Sequence, residues 1–323
     1  MCPKACTRVL FLQFKRPSEN LSDGLTNGET VTVVSLCYGY DYTGNLIHRK
    51  LPDGEVQNCF YDLHDQLVKA EIFKKDGTKE TWAYTYDALG RRIGKGRLKN
   101  EEVSDGLKEE TGFVWDGSHL LQEIHPDGRY TYIYTDPDSY EPLAQVRNWT
   151  NEDGESKQEI HYFHCDQIGI PREMTDKDGN LVWFGNYTGW GRLKEETKVT
   201  YNAYQPFRLQ NQYADRETGL HYNFFRYYEP DAGRFINQDP IRLWGGDNFY
   251  WFAPNSSAWI DVLGLASIFE KLKITTSDGF LFKGFTVKAP FNIPVQRFGD
   301  LHLNSSRGDF WGLRIGTNKF IKN

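Results

Sequence analysis

The chain has few methionine and proline residues and no long apolar segment. Only 2 of its 323 residues are Met, and Pro numbers 13. No run of about 18 apolar residues occurs, and the apolar segment 9–14 is too short for the core of a signal peptide. We therefore expect no membrane span and no signal peptide. The protein would be cytoplasmic when it is made, and export would need a dedicated secretion system.

Cysteine is sparse, odd in number and widely spaced, at Cys2, Cys6, Cys37, Cys59 and Cys165. This distribution does not indicate a disulfide framework, so we expect free thiols in a reducing compartment. A four-thiolate zinc site built from the first four cysteines is the alternative, although the paired short spacing of such sites is missing. We expect no metal site and no cofactor.

Aromatic residues and glycine are abundant instead. Aromatics make up 15% of the chain, and Gly numbers 30. The dipeptide Asp-Gly occurs nine times, which favours tight hairpin turns because Gly readily adopts the left-handed conformation that type I′ turns require. Antiparallel strands joined by short turns are therefore the predicted architecture.

A repeat with the pattern Y-D-x-x-G-x-L supports that architecture. Its copies begin at Tyr40, Tyr61 and Tyr86, which are 21 and 25 residues apart, a period typical of stacked hairpin units. In the second copy Asp65 replaces Gly, which remains compatible with a left-handed turn residue. Tyrosines alternate along 130–134 and are expected to share one face of a strand.

Residues 220–265 hold the charged residues Arg226, Asp239 and Asp261 among aromatics and glycines. The segment resembles the core of RHS/YD-repeat proteins, R-Y-Y-D-P-x-x-G-R-F-x-x-x-D-P-I-G-L-x-G-G-x-N-x-Y-x-Y-x-x-N, closing with D-P-x-G-L. The in-register matches are Tyr227, Tyr228, Pro230, Gly233, Arg234, Phe235, Asp239, Pro240, Ile241, Leu243, Gly245, Gly246, Asn248, Tyr250 and Asn255. The upstream family pattern Y-x-H-x-D-x-x-G-x-P is matched at Tyr162, His164, Asp166, Gly169 and Pro171.

The resemblance covers about residues 38–265 and implies an all-β fold, an antiparallel YD-repeat β-shell formed by a spiral sheet. It divides the chain into four parts. These are an irregular N-terminal segment (1–37), the YD-repeat shell (38–160), the RHS core segment with its autoprotease motif (161–265), and a small variable C-terminal tip or toxin region (266–323).

The resemblance also implies a self-cleaving site. Asp239 and Asp261 would be an aspartic-protease pair, Arg226 the neighbouring arginine, and the scissile bond would join Leu265 to Ala266. Two carboxylates about 3 Å apart cannot both ionise, so one can activate water while the other donates a proton. The family positions for Gly and Pro hold Arg242 and Val262, and we therefore expect only partial cleavage. No turnover enzyme is predicted.

The C-terminal region differs in charge from the rest. Residues 266–323 carry a net charge of +5, whereas the preceding 265 residues carry −11. Asp300, His302, Arg307 and Asp309 are the clustered polar side chains there that suit hydrolysis, and His302 is the sole histidine of the region. A small nuclease acting on nucleic acid, a non-enzymatic or truncated tip, and another toxin chemistry all stay open. The family implies a cognate immunity protein that binds this region, and secretion-machine components as further partners.

The function that follows is a fragment or orphan copy of an RHS-family polymorphic toxin, a secreted effector of bacterial competition whose shell releases or presents a variable tip. Two other functions stay open. One is a non-proteolytic surface or carbohydrate-binding repeat protein, and the other is an inactive degenerate copy.

Overall fold

The computed structural model describes residues 6–14, 31–99, 106–254, 256 and 259–265, and strand backbones between residues 268 and 315. Side chains are described within these ranges from Cys37 to Leu265. One sheet contains fifteen strands: β1 (Cys6–Phe14), β2 (Val31–Tyr40), β3 (Leu46–Lys50), β4 (Val56–Tyr61), β5 (Leu67–Phe73), β6 (Lys79–Tyr86), β7 (Arg92–Leu98), β8 (Leu107–Asp116), β9 (His119–His125), β10 (Gly128–Tyr134), β11 (Pro142–Thr150), β12 (Ser156–Cys165), β13 (Pro171–Thr175), β14 (Leu181–Tyr187) and β15 (Leu193–Lys198).

Each strand of this sheet pairs antiparallel with the next strand in the chain, so the sheet is a continuous meander. The prediction of an all-β, antiparallel shell is confirmed. The sheet crosses residue 160 within β12 and continues to Lys198, and the four-part division of the chain remains a prediction. No helix in the described ranges is long and apolar enough to cross a membrane.

The turns confirm the hairpins but correct the turn type. In the turn 74–77 the amide of Gly77 donates to the carbonyl of Lys74 at 3.1 Å, and Gly77 has a φ of +83°. Asp76 lies outside the left-handed region, so the turn is a type I turn followed by a left-handed glycine rather than a type I′ turn. The Y-D-x-x-G turns follow the same plan, and Asp65 takes the glycine place with a φ of +59°.

The inward face of the sheet is aromatic and buried. Tyr130 and Tyr132 are buried there with Tyr134 packed beside them, as the alternation predicts, and Trp183 is fully buried. Tyrosine hydroxyls bond to neighbouring backbone, as when Tyr86 donates to the carbonyl of Leu67 at 2.7 Å. Burial of these large rings supplies the main favourable energy of the shell.

Residues 203–265, here called the inner segment, pack against that face. They contain a small sheet formed by β16 (Tyr213–Ala214), β17 (His221–Asn223), β18 (Arg226–Glu229) and β19 (Arg234–Phe235), followed by a 3₁₀ helix at Arg242–Trp244. The remaining strands are β20 (Trp259–Ile260), β21 (Ile268–Phe269), β22 (Thr286–Lys288), β23 (Gln296–Phe298), β24 (Leu301–Ser305) and β25 (Phe310–Ile315).

The cysteines depart from the sequence expectation in one place. Cys59 and Cys165 are free thiols, as expected. Cys37 is disulfide-bonded, so the expectation of free thiols throughout is wrong. An odd count of cysteines is compatible with one bridge, and the sequence spacing carried no information about it.

Candidate active site

Buried ion pairs fasten the inner segment to the shell. Arg49 on β3 contacts Glu229 on β18, a residue 180 positions later. Arg92 on β7 contacts Asp215 at 2.6 Å, and Lys95 contacts the other oxygen of that carboxylate at 3.0 Å. All five side chains are buried. Because a buried charge is costly without its partner, these pairs fix where the inner segment lies.

The inner segment also covers the end of the shell at which the Y-D-x-x-G turns lie. Tyr250 donates a 2.8 Å hydrogen bond to the carbonyl of Gly44 in the first of these turns. Gly90 lies so close to Phe225 that an added Cβ would be 3.6 Å from the ring. The part of the inner segment that carries the predicted site is therefore in contact with the turns at this end of the shell.

The structure brings together the three charged residues that the sequence singled out. Nη2 of Arg226 lies 3.1 Å from Oδ2 of Asp239 and 3.5 Å from Oδ2 of Asp261. The exposed fractions of Arg226, Asp239 and Asp261 are 1%, 5% and 2%. One guanidinium nitrogen thus contacts both carboxyl groups in a site closed to bulk water. Whether they catalyse cleavage stays a prediction.

Further contacts hold Arg226 in place. Its Nη1 donates to the carbonyl of Phe249 at 3.1 Å, its Nε donates to the carbonyl of Gly264, and the guanidinium lies 3.6 Å from the centre of the Phe235 ring. A planar fork with fixed donors can serve all these acceptors at once, which an ammonium group cannot. Burial lowers the pKa of Arg226, and the two carboxylates oppose that effect.

Burial dominates the ionisation of Asp239. It raises the pKa of this carboxyl to about 7, against the opposing effects of Arg226 and of a 3.0 Å hydrogen bond from the amide of Ile241 to Oδ1. The neighbouring Asp261 adds to the increase. A carboxyl group with this pKa carries its proton over much of the range below neutral pH, and it can therefore act as an acid.

Residues 261–264 are bound through their backbone. Each of their four carbonyls accepts a hydrogen bond from a different donor in residues 211–226. Nδ2 of Asn223 donates to Asp261 at 2.8 Å, and the amide of Phe225 donates to Leu263 at 3.3 Å. The side chains of Asn211 and Arg226 serve the carbonyls of Val262 and Gly264. The backbone of this stretch is therefore fixed to the inner segment, although the chain bends here and Gly264 has a φ of +64°.

The side chain of Leu265 fills an apolar pocket beside the carboxyl pair. Leu265 is buried in a cluster with Val262 and Leu263 and packs with the aromatic rings of Tyr140 and Phe224. The backbone amide of Leu265 donates to Oδ1 of Asp261 at 2.9 Å. Both the side chain and the amide of the residue before the predicted scissile bond are therefore fixed.

The carbonyl oxygen of Leu265 and Oδ2 of Asp239 flank one small space. A Cβ atom added to Gly245 would overlap Oδ2 of Asp239 and would lie 2.6 Å from the carbonyl oxygen of Leu265. Asp239, one of the two carboxyl groups predicted from the sequence, therefore adjoins the carbonyl of the predicted scissile bond.

The predicted scissile bond lies in the loop of a hairpin. Ile260 on β20 pairs with Ile268 on β21, and Trp259 pairs with Phe269, so the chain reverses between residues 261 and 267. Ala266 itself lies outside the described residues. The described part of this reversal places the carbonyl oxygen of Leu265 beside Oδ2 of Asp239 of the same chain.

The structure does not describe the side chains of the residues predicted to carry out hydrolysis in the C-terminal region. Asp300 and Asp309 lie outside the described residues, and His302 belongs to β24, of which the backbone alone is described. Between Cys37 and Leu265, the described side chains form no group of three or more His, Cys, Asp and Glu that could hold a metal ion. Hydrolysis by the tail stays a prediction.

Sequence reasoning missed the residues that hold residues 261–265, here called the cleavage segment because they precede the predicted scissile bond. Asn211 and Asn223 have no distinctive pattern around them, and their partners lie 51 and 38 residues away. The structure shows why Asn suits position 211, because its φ is +59° and Asn is among the residues that tolerate that region. Gly245 matched the family pattern, but its role depends on a contact that spacing does not reveal.

Comparisons with known proteins agree with this architecture. The family described as RHS protein matches residues 160–197. The chain is 39% identical over 242 residues to the double-stranded DNA deaminase toxin A of Burkholderia cenocepacia, covering 72% of this chain and 17% of that protein. It is 34% identical over 242 residues to the toxin protein Tse5 of Pseudomonas aeruginosa, covering 68% of this chain and 18% of that protein.

The chain thus spans less than a fifth of the length of these two curated relatives. Among solved structures, the Tc holotoxin pore of Photorhabdus luminescens matches with a TM-score of 0.50 and 18% identity, covering 81% of this chain and 14% of that chain. This likeness concerns the fold alone. The match to the RHS protein family, the core segment and the toxin relatives together show that the chain belongs to the RHS/YD-repeat protein family.

Proposed function

We propose that this chain is part of an RHS toxin that cuts itself between Leu265 and Ala266 and so ends the covalent link between its C-terminal region and its shell. The observation that carries the proposal is the arrangement around Leu265. Its carbonyl oxygen adjoins Oδ2 of Asp239, its amide is bound by Asp261, and its side chain is enclosed. A carbonyl held beside an acid is poised for attack, because bound geometry supplies much of the rate of such a reaction.

In the proposed reaction Asp239 starts protonated and Asp261 starts ionised, with Arg226 favouring a charge on the pair. A water molecule loses a proton to Asp261 as its oxygen bonds to the carbonyl carbon of Leu265, and Asp239 gives its proton to the carbonyl oxygen. The diol then collapses. The bond to Ala266 breaks, the leaving nitrogen takes the proton from Asp261, and Asp239 regains its own.

The released or presented C-terminal region is proposed to be the toxic part. Relatives of this chain are named as toxins, and one is named for its action on double-stranded DNA. The net charge of +5 on residues 266–323 supports a nucleic acid as the target. A cognate immunity protein and a secretion system are the partners that the toxin relatives suggest.

The test is intact mass spectrometry and N-terminal sequencing of the purified full chain. We expect a fraction of the wild-type protein to be cut, with a new N-terminus at Ala266, and no cutting in Asp239→Asn or Asp261→Asn. The matched control is Asp153→Asn, which changes an exposed aspartate in a hairpin turn. Uncut wild-type protein over days, or a cut elsewhere in the chain, would contradict the proposal.

A further inference from the structure

Gly245 occupies an unusually confined position beside the carboxyl pair. It follows the 3₁₀ helix Arg242–Trp244, and its amide donates to the carbonyl of Arg242 at 3.0 Å. An added Cβ would overlap Oδ2 of Asp239, would lie 2.9 Å from Cγ of that residue, and would lie 2.6 Å from the carbonyl oxygen of Leu265. Real Cβ atoms essentially never approach other atoms so closely.

The backbone of Gly245 gives no reason for a glycine. Its φ and ψ are −81° and −7°, which is ordinary right-handed geometry that any residue adopts. By contrast Gly246, the next residue, has a φ of +127° and needs glycine for conformational reasons. The lack of a side chain at 245 therefore serves the close approach of Asp239 to Leu265.

We propose that Gly245 is the positioning residue that lets the carboxyl group of Asp239 lie against the carbonyl of Leu265, an arrangement on which the proposed self-cleavage depends. Gly245 has no group that takes part in the chemistry. It acts by leaving the space in which Asp239 meets Leu265. A methyl group there would displace Asp239, Leu265 or both, and the proton could no longer pass to the carbonyl oxygen.

The experiment compares Gly245→Ala with Gly189→Ala in the full chain. Gly189 is exposed, has no left-handed backbone and has no atom within 4 Å of an added Cβ, so its substitution controls for glycine replacement as such. We expect Gly189→Ala to be cut like wild type and Gly245→Ala to be cut at least about 100-fold more slowly, since a displacement near 1 Å has that effect. Cleavage of Gly245→Ala at the wild-type rate would overturn the proposal.

A second measurement separates positioning from failure to fold and does not depend on cleavage. The fall in Tm caused by Gly245→Ala should be clearly smaller in an Asp239→Ala background, because the overlapping carboxyl group is then gone. Equal decreases of Tm in both backgrounds would contradict the close approach of residue 245 to the carboxyl group of Asp239. Both backgrounds should include Asp261→Asn, so that every protein compared is uncut.

The two proposals fail in different ways. If wild-type chain is never cut but the Tm effects are coupled, the proposed function is wrong and Gly245 still sets the approach of Asp239 to Leu265. If wild type is cut and Gly245→Ala is cut equally fast, the function stands and the role of Gly245 is refuted. Carboxyl ¹³C NMR adds a third readout, because Gly245→Ala should change the titration midpoint of Asp239 and Gly189→Ala should not.

Discussion

The amide of Leu265 donates a 2.9 Å hydrogen bond to Oδ1 of Asp261, four residues earlier in the chain. One carboxylate thus belongs to the bound segment and also holds the residue whose following bond is proposed to break. Its Oδ2 faces Arg226 at 3.5 Å. In the proposed mechanism, one oxygen of this side chain anchors Leu265 and the other belongs to the reacting pair.

This division predicts different results for two substitutions of Asp261. Asn keeps an oxygen that can accept from the Leu265 amide, so Asp261→Asn should abolish cleavage while changing the free energy of unfolding by less than about 1 kcal/mol. Asp261→Ala also removes the acceptor and should destabilise by a further ~1–3 kcal/mol. Urea denaturation of both variants, with cleavage followed by mass, checks this. Equal stabilities would show that the Leu265 amide does not depend on residue 261.

We expect Asp239 to set the pH dependence of the proposed cleavage. Because burial raises the pKa of its carboxyl to about 7, the acid form is present below that pH and is lost above it. We expect the rate of cleavage after refolding to fall as pH rises from 6 to 8. A rate that increases over this interval would contradict the assignment of Asp239 as the acid.

The same group makes stability depend on pH. The folded-state pKa of Asp239 exceeds the unfolded value of about 3.9, so the folded protein binds more protons between those values. The free energy of unfolding should therefore fall as pH rises from about 4 to 7, by at most ~4 kcal/mol from this residue. Uncut Asp261→Asn should show this dependence more strongly than Asp261→Asn combined with Asp239→Asn.

A substitution at Val262 tests how strongly the conformation of the cleavage segment is restricted. Within the described residues its amide donates no hydrogen bond, so proline at this position would remove none. Proline restricts φ and should reduce the range of conformations in which Leu265 leaves the site. We expect Val262→Pro to raise the cleavage rate several-fold, as measured by mass over time. An unchanged rate would mean that the segment is already fully fixed by its carbonyl contacts.

Arg242 is strained where the family pattern has glycine. It has a φ of +54° in the turn that begins at Asp239, and its side chain is exposed. Left-handed geometry costs a non-glycine residue roughly 1–2 kcal/mol. Glycine avoids this cost, but its greater conformational freedom in the unfolded chain offsets part of the gain in stability. Arg242→Gly should therefore stabilise the protein by about 0.5–1 kcal/mol.

The matched control is Leu243→Gly, one residue further along the same exposed turn. Leu243 is 64% exposed and has no left-handed backbone. Glycine there should destabilise the protein by about 0.5–1 kcal/mol. If both substitutions change Tm in the same direction, strain at residue 242 is not the cause.

The sequence predicted those features that depend on local geometry. The Y-D-x-x-G copies located the turns, and Asp65 was correctly read as a left-handed residue because Asp tolerates that region. The same local reasoning gave the wrong turn type, since Asp-Gly fits both a type I′ turn and a type I turn that ends in a left-handed glycine. Backbone hydrogen bonds distinguish these, and composition does not.

Contacts between distant parts of the chain could not be predicted in this way. Arg49 and Glu229 form a buried ion pair across 180 positions, and no spacing rule links them. The family resemblance identified Arg226, Asp239 and Asp261 as a set, because the family's motif combines residues that lie together in the folded protein. It did not supply Asn211 or Asn223, whose side chains act on the backbone of the cleavage segment and leave no motif around themselves.

The β20–β21 hairpin has a consequence for what a cut molecule would be. Its strands are joined by two residue pairs, Trp259 with Phe269 and Ile260 with Ile268, one strand on each side of the proposed cut. Hydrolysis inside the loop would therefore make a nick, with two chains still docked by a short ladder. Gel filtration under native conditions would give one particle, whereas denaturing electrophoresis would give two bands. Release of the C-terminal region would then require a force or a change of solvent that breaks the pairing of β20 with β21.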